Sequence, residues 1–242
     1  MFRHVLAHAG EHPALAVGQA PPGLLSPREE AILAGLALLP RRRKWLLGRW
    51  AAKRLLGELA AEDNDLVSGG EPGSNQDWRG QFSVLNDESG MPYVDRQGSR
   101  LPLSLSISHR GDWGLAAVAL SPGASIGADL ETVEPRDPAL VRQFFSESEA
   151  DRVTGSCDVD RTVARIWSAK ESVLKAMGIG LRHDTRDIVV GDEGNAPAGL
   201  AEAWRALDVR LAPVLAARVS PRLLTLLWRD LDAHVVTVAL LM

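Results

Sequence analysis

The sequence predicts an α+β fold built from two similar halves, and three observations carry that prediction. Residues 101–120 read as two strands joined by a tight turn, and residues 163–180 read as a long amphipathic helix closed by glycines. The third observation is a set of matches that recur 120 positions apart. Phe145-Ser146-Glu147-Ser148-Glu149 offers the same capping box as Leu25-Ser26-Pro27-Arg28-Glu29. Arg222-Leu223-Leu224-Thr225-Leu226 answers Pro102-Leu103-Ser104-Leu105-Ser106, and Val236-Thr237-Val238-Ala239-Leu240 answers Ala116-Ala117-Val118-Ala119-Leu120. Any one match is at chance level, but three in one register imply halves at 1–122 and 123–242. We expect them to be related by a pseudo-twofold axis, with a site in the cleft between them.

The elements follow in chain order. Met1 to Leu6 and Ala14 to Val17 read as short strands or irregular chain before the turn Ala20-Pro21-Pro22-Gly23. Ser26 then caps a helix with Pro27 at its first position, and this helix is expected to run to Leu39 and stop at Pro40. A second helix is expected over Arg42 to Leu59, with Trp45, Leu46, Ala52, Leu55, Leu56 and Leu59 on its apolar side. Ser68 to Gly80, rich in Gly, Ser, Asn and Asp, reads as a loop, and Ser89-Gly90-Met91-Pro92 as a turn. Leu103, Leu105 and Ile107 alternate with Ser104, Ser106 and Ser108 in a strand with one wet or ligand-facing side, which ends at His109. Trp113 to Leu120 returns as an apolar strand, and Ser121-Pro122-Gly123 breaks the chain at its midpoint.

Composition excludes several classes. With 242 residues, 45% of them hydrophobic, the chain can bury one large core or two small ones. A net charge of -4 argues against a general nucleic-acid binder, although Arg41-Arg42-Arg43-Lys44 is a local basic cluster. The single cysteine, Cys157, allows no intramolecular disulfide. With no signal-like start and no apolar run of about 18 residues, the reading is a soluble cytoplasmic protein without a membrane segment. There is no Gly-x-Ser-x-Gly elbow and no paired Cys and His of a hydrolase.

Two stretches carry chemistry. In Ile126-Gly127-Ala128-Asp129-Leu130-Glu131, an extended chain puts Asp129 and Glu131 on one face, about 6.5–7 Å apart along the strand. Like charges so placed repel unless a cation lies between them. Oxygen ligands of this kind suit Mg²⁺, and Gly127 is expected to let a bulky ligand approach the backbone. In the helix 163–177, Trp167, Glu171 and Lys175 fall four apart and form one stripe, with a carboxylate and an ammonium a turn apart. Each signal alone is also what a solvated strand end or a surface Glu–Lys pair would give.

Their combination and order are specific. Ser-Ile-Ser-His (106–109), Gly-Ala-Asp-Leu-Glu (127–131), Phe-Phe-Ser-Glu-Ser-Glu (144–149) and Trp-Ser-Ala-Lys-Glu-Ser-Val-Leu-Lys-Ala-Met-Gly-Ile-Gly-Leu (167–181) resemble the 4'-phosphopantetheinyl transferases. The likeness is to the larger, pseudo-dimeric monomers that activate polyketide, nonribosomal peptide and siderophore synthases. It is strong over 106–181 and looser at Arg41–Gly57 and at Gly90-Met91-Pro92. The resemblance implies a holo-[acyl-carrier-protein] synthase activity: the phosphopantetheine arm of coenzyme A moves to a serine of an apo acyl or peptidyl carrier protein, and adenosine 3',5'-bisphosphate is released. Asp129, Glu131 and Glu171 match the three carboxylates that bind Mg²⁺, and Lys175 the lysine at the pyrophosphate. Glu171 is the family's usual candidate for deprotonating the carrier serine.

The N-terminal half then serves the adenine and 3'-phosphate of CoA. Ser108 and His109 match the segment that holds CoA phosphates. Lys53, in Lys53-Arg54-Leu55-Leu56-Gly57, or its neighbour Arg49, matches the cation at the 3'-phosphate, and Arg42 or Arg43 is available to offset Met91, where relatives often carry Lys. Trp167 reads as core packing, Lys170 has no assigned role, and Glu149 reads as the capping partner of Ser146. Arg142, Arg152 and Arg182 are candidates for meeting an acidic carrier helix. The other reading is a catalytically degenerate CoA or carrier-protein binding module. Retention of all three carboxylates and Lys175 speaks against it.

Overall fold

The computed structural model describes residues 1–62, 82–194, 197, 200 and 203–242. The expected loop at Ser68 to Gly80 lies outside the described residues. The chain divides into two compact units, Met1–Pro122 and Gly123–Met242.

The N-terminal unit begins with strand β1 (Phe2–His8) and the short helix α1 (Pro13–Ala16). The sequence expectation of a strand or irregular chain at Ala14–Val17 is therefore corrected: the His12 ring accepts a hydrogen bond from the Ala14 amide and caps one helical turn behind Pro13. Helix α2 (Pro27–Ala34) starts at the expected capping box, in which Ser26 and Glu29 satisfy each other's backbone amides. It ends five residues before Leu39, and helix α3 (Leu39–Glu62) takes Pro40 into its own first turn. A proline there removes only an amide that has no helical partner, so Pro40 opens a helix rather than closing one.

The remaining strands of this unit are β2 (Phe82–Asn86), β3 (Pro92–Arg96), β4 (Ser99–Arg100), β5 (Ser104–Arg110) and β6 (Trp113–Ala119). They form an antiparallel sheet in the order β1-β6-β5 and a small sheet in the order β2-β3-β4. Residues from both sheets close one core around α3: Val5, Ala7, Leu47, Ala51, Leu55, Phe82, Val84, Val94, Ala116 and Val118. Strand β5 runs one residue past His109, to Arg110, and on its serine face Ser106 and Ser108 are buried; His109 faces Gly114 across the ladder.

The C-terminal unit repeats the theme. Strand β7 (Ser125–Thr132) leads to helices α4 (Pro138–Phe144), α5 (Glu147–Thr154) and α6 (Val159–Met177). Strands β8 (Ile188–Gly194) and β9 (Arg205–Leu211), helix α7 (Pro213–Val219) and strands β10 (Leu224–Leu231) and β11 (His234–Leu241) complete it. One antiparallel sheet runs β7-β11-β10-β9-β8. Asp158 caps the start of α6, and Gly178 closes its end at φ 68 in the left-handed region, with its amide bonded to Leu174 and Lys175 oxygens. The apolar face of α6, with Val163, Ile166, Ala169, Val173 and Leu174, is buried on the sheet against Val235, Ala239 and Leu226.

Candidate functional site

Gly127 decides where α6 lies. A Cβ at this position would stand 1.9 Å from Ser172 O and 2.4 Å from Ala176 N, so no other residue lets the helix backbone rest on β7. The sequence expectation that this glycine makes room for a ligand is corrected: the helix itself fills the space. A second tie comes from hydroxyls. Ser168 and Ser172, both fully buried, meet Thr237 Oγ1 at 2.9 and 2.7 Å, and Thr237 sits directly opposite Asp129 in the β11–β7 ladder. The close approach and the hydroxyl chain together bring the Glu171–Lys175 stripe beside the carboxylates of β7.

A buried ion pair sets the helix register. Lys170 and Glu149 are both fully buried, with Nζ 2.8 Å from Oε2. Lys170 also donates to the carbonyls of Thr185 and Ile188, while Glu149 Oε1 accepts from the Val190 amide at 2.8 Å. Every polar atom of the pair is thus bonded, the condition under which burying two charges is tolerable. Lys170, to which the sequence assigned no role, locks α6 to α5 and to the start of β8.

The carboxylates themselves are nearly enclosed: Asp129 is 4% and Glu131 8% exposed. Lys175 Nζ lies 2.6 Å from Asp129 Oδ1, 3.3 Å from the Ala128 carbonyl and 3.9 Å from Glu171 Oε2. Arg136, in the turn after β7, lies with Nη2 2.7 Å from Glu131 Oε2. Burial pushes the Glu171 carboxyl above its ordinary value of 4.5; Lys175 pulls it back, while the charges of Asp129 and Glu131 push it further up. The charges of Asp129 and Glu131 therefore reach the Glu171 carboxyl. Trp167 packs edge-tilted on Phe144 with ring centroids 5.1 Å apart and is half-buried, in keeping with the packing role expected of it.

The donor set is made of oxygen atoms only. Among the described residues, no three His, Cys, Asp or Glu side chains converge as a ready-made metal cage. Mg²⁺ does not require one, because it is commonly held by one or two carboxylates, with waters and substrate phosphates filling the other positions. Oxygen-only donors from Asp129, Glu131 and Glu171 fit that pattern.

The N-terminal unit corrects two expectations. Lys53 is fully buried, with Nζ 2.5 Å from Glu29 Oε2 and 2.6 Å from the Leu24 carbonyl. Its charge is neutralised inside the core, so it is withdrawn from any phosphate. Arg49 is 5% exposed, stacks over Trp45 at 4.6 Å and donates to Asn86 at 2.9 Å; burial lowers its pKa to about 10. It too is enclosed by protein rather than turned to a ligand. Arg42 ties the start of α3 to the carbonyls of Gly18, Leu33 and Leu36, while Arg41 and Lys44 are the exposed cations of the cluster. Ser108 is buried and His109 exposed. Of the three arginines expected at a partner surface, Arg152 is bonded to the Val190 and Gly191 carbonyls, while Arg142 and Arg182 are exposed.

A family model described as the 4'-phosphopantetheinyl transferase superfamily matches residues 125–214, a span that holds Gly127, Asp129, Glu131, Glu149, Lys170, Glu171 and Lys175. Residues 125–214 carry the 4'-phosphopantetheinyl transferase superfamily signature. The chain is 28% identical over 182 residues to the 4'-phosphopantetheinyl transferase AcpT of Salmonella typhimurium, covering 74% of this chain and 75% of that protein. It is 35% identical over 106 residues to the 4'-phosphopantetheinyl transferase psf-1 of Bacillus pumilus, covering 43% and 42%. To the 4'-phosphopantetheinyl transferase Sfp of Bacillus subtilis it is 33% identical over 78 residues, covering 31% and 34%. The match thus spans three-quarters of AcpT but less than half of these two Bacillus relatives. Among solved structures, a holo-[acyl-carrier-protein] synthase from Neisseria meningitidis aligns with 48% of this chain and 96% of its own, at 18% identity and a TM-score of 0.39. The family match runs from strand β7 to the start of helix α7, all within the C-terminal unit, and the carboxylates lie on its β7 and α6.

Proposed function

We propose that this chain transfers the 4'-phosphopantetheine arm of coenzyme A to a serine of an apo carrier protein, with Mg²⁺ as metal and adenosine 3',5'-bisphosphate as the second product. The observation that carries the reading is the gathering of Asp129, Glu131, Glu171 and Lys175 onto one strand–helix contact. Pyrophosphate chemistry needs cations at its oxygens and a base at the attacking hydroxyl, and these residue types supply or hold both. Bound Mg²⁺ would neutralise pyrophosphate charge as the phosphorus is attacked.

Asp129, Glu131 and Glu171 are the residues to hold that ion. The serine Oγ attacks the pantetheine-side phosphorus, its bond to the bridging oxygen breaks, and the serine proton leaves to a base. Glu171 suits this last role because burial raises its proton affinity above that of an ordinary carboxylate. Lys175 keeps an ammonium beside Asp129, where it can steady the leaving phosphate. Ser108 and His109 are the residues proposed for the phosphates at the adenosine end of CoA. Arg41 and Lys44 replace Lys53 and Arg49 as the cations proposed for the 3'-phosphate. Exposed Arg142 and Arg182 are proposed to meet the carrier, and reversing their charge is expected to weaken carrier affinity without changing that for CoA.

The test is the intact mass of an apo carrier protein after incubation with this protein, CoA and Mg²⁺. A gain of one phosphopantetheine arm that EDTA prevents is the expected result. No gain across fatty-acid, polyketide and peptide carriers would sink the reading.

A further inference from the structure

Both strand carboxylates of the site already carry a cation of the chain's own. Lys175 covers Asp129, and Arg136 covers Glu131, each within 2.7 Å. Arg136 belongs to none of the motifs that identify the family and has no part in the reaction as proposed above. It stands in the turn 133–137 between β7 and α4. Its Nη2 also faces the Thr132 carbonyl at 3.2 Å and Glu134 Oε1 at 3.6 Å.

Three features make this contact exchangeable. The bond to Glu131 runs through one guanidinium nitrogen to one carboxylate oxygen, not through the two-pronged geometry that makes Arg–carboxylate pairs strong. The Arg136 side chain keeps 17% of its surface exposed, so it has a way out to solvent. Finally, Glu131 Oε2 is an oxygen of a proposed metal ligand, so a guanidinium held on it repels an incoming divalent cation and occupies a lone pair that the ion would use.

We propose that Arg136 is a resident counter-ion: it neutralises Glu131 while the metal is away, competes with the divalent cation for Glu131 Oε2, and passes to a phosphate oxygen of coenzyme A when the cation takes the carboxylate. The inference rests on the metal reading of the site. Its consequence is a linkage between ligands. A cation arriving alone must displace Arg136 with nothing to receive it; a pyrophosphate arriving alone finds Arg136 engaged. Arriving together, each releases what the other needs, so each tightens the other by the same factor. Arg136 thereby becomes a substrate-binding residue that the family motifs do not contain.

Calorimetric titration tests this on the whole chain, first with MgCl₂ alone and then with CoA at saturating Mg²⁺, for the wild type, Arg136→Gln and Arg136→Lys. Arg136→Gln is expected to bind Mg²⁺ alone roughly fivefold more tightly, because a competing partly buried ion pair is gone. The same variant is expected to bind CoA about tenfold more weakly, because a charge-assisted hydrogen bond to phosphate is lost. Opposite signs on the two ligands separate ion exchange from a general change of local charge or from loss of fold. Arg136→Lys keeps the charge but loses the planar fork, so it is expected to move both affinities in the same directions by less. It decides the matter should Arg136→Gln not fold. Mg²⁺ affinity unchanged or weakened in both variants, or CoA affinity unchanged, would overturn the inference and leave the metal reading standing. A wild type that takes up no Mg²⁺ with or without CoA would overturn both.

Discussion

The two units share a scaffold and differ in what they hang on it. In each, a capping-box glutamate is fully buried and grips a lysine of the long helix: Glu29 with Lys53 on α3, Glu149 with Lys170 on α6. In each, the same glutamate's other oxygen accepts from a strand amide, Val84 in one and Val190 in the other. Each long helix lies on an antiparallel ladder whose outer strand opens the unit. Matching the lysines places Arg54 and Glu58 of α3 where α6 has Glu171 and Lys175, a reversal of charge. On the opening strands, β7 turns Gly127, Asp129 and Glu131 to its helix, while the core of the N-terminal unit takes Val5 and Ala7 from β1. The clamp is therefore architecture, and acidic chemistry was built on only one copy of it. A buried lysine in a basic helix is no sign of a phosphate site when a capping glutamate stands within reach of it.

The largest expected effect breaks that equivalence directly. Lys53→Met and Lys170→Met each strand a buried carboxylate, so each is expected to cost about 3–5 kcal/mol in urea denaturation. A loss below about 1 kcal/mol at either position would show that the two clamps are not alike.

Next in size is the close approach. Gly127→Ala puts a methyl against helix backbone and is expected to cost about 1–3 kcal/mol, with transfer activity falling as α6 shifts off Asp129. Gly114→Ala in the other unit meets Leu47 Cγ at 2.9 Å and Leu47 O at 3.3 Å, longer approaches than the 1.9 and 2.4 Å at Gly127, so its cost should be smaller. Equal costs would erase the distinction drawn between the two strand–helix contacts.

A third test uses pH. The folded Glu171 carboxyl holds its proton more tightly than the unfolded chain's, whose ordinary value is 4.5. The folded state therefore binds more protons in that window. The stabilising contribution of this group is fully present below pH 4.5 and is lost as pH rises through the raised folded value. Glu171→Gln is expected to flatten that fall in a thermal-melting series run upward from pH 4.5. A slope identical to the wild type's would contradict the burial argument. Smallest of all, Arg54→Ala removes a half-exposed pair with Glu11 and is expected to cost less than about 1 kcal/mol, leaving transfer unchanged.

Local chemistry made much of this legible in the sequence. Capping boxes at Ser26 and Ser146 and the glycine stop at Gly178 are encoded within a few residues and formed as read; the strand at His109 formed too, but Ser106 and Ser108 on its polar side are buried. The Glu171–Lys175 stripe also followed from helical spacing alone. What stayed hidden depends on distant partners. Lys53 is claimed by Glu29, 24 residues upstream, and Arg49 by Asn86, 37 residues on; neither pairing leaves a periodic trace. In the sequence Gly127 reads as a close-approach site, but only the packing of Ser172 and Ala176 against it tells what approaches. Arg136 lies in a turn with no pattern, and its reach back to Glu131 is a matter of tertiary geometry.

The most direct test of the account is the intact mass of an apo carrier protein incubated with CoA and Mg²⁺ and either the wild type or Asp129→Ala, after circular dichroism has shown both to be folded. The account predicts that the wild type adds one phosphopantetheine arm and that the variant adds none on the same timescale. Equal addition by the two proteins would contradict it, because the carboxylates of β7 would then be no more than the acidic end of a strand.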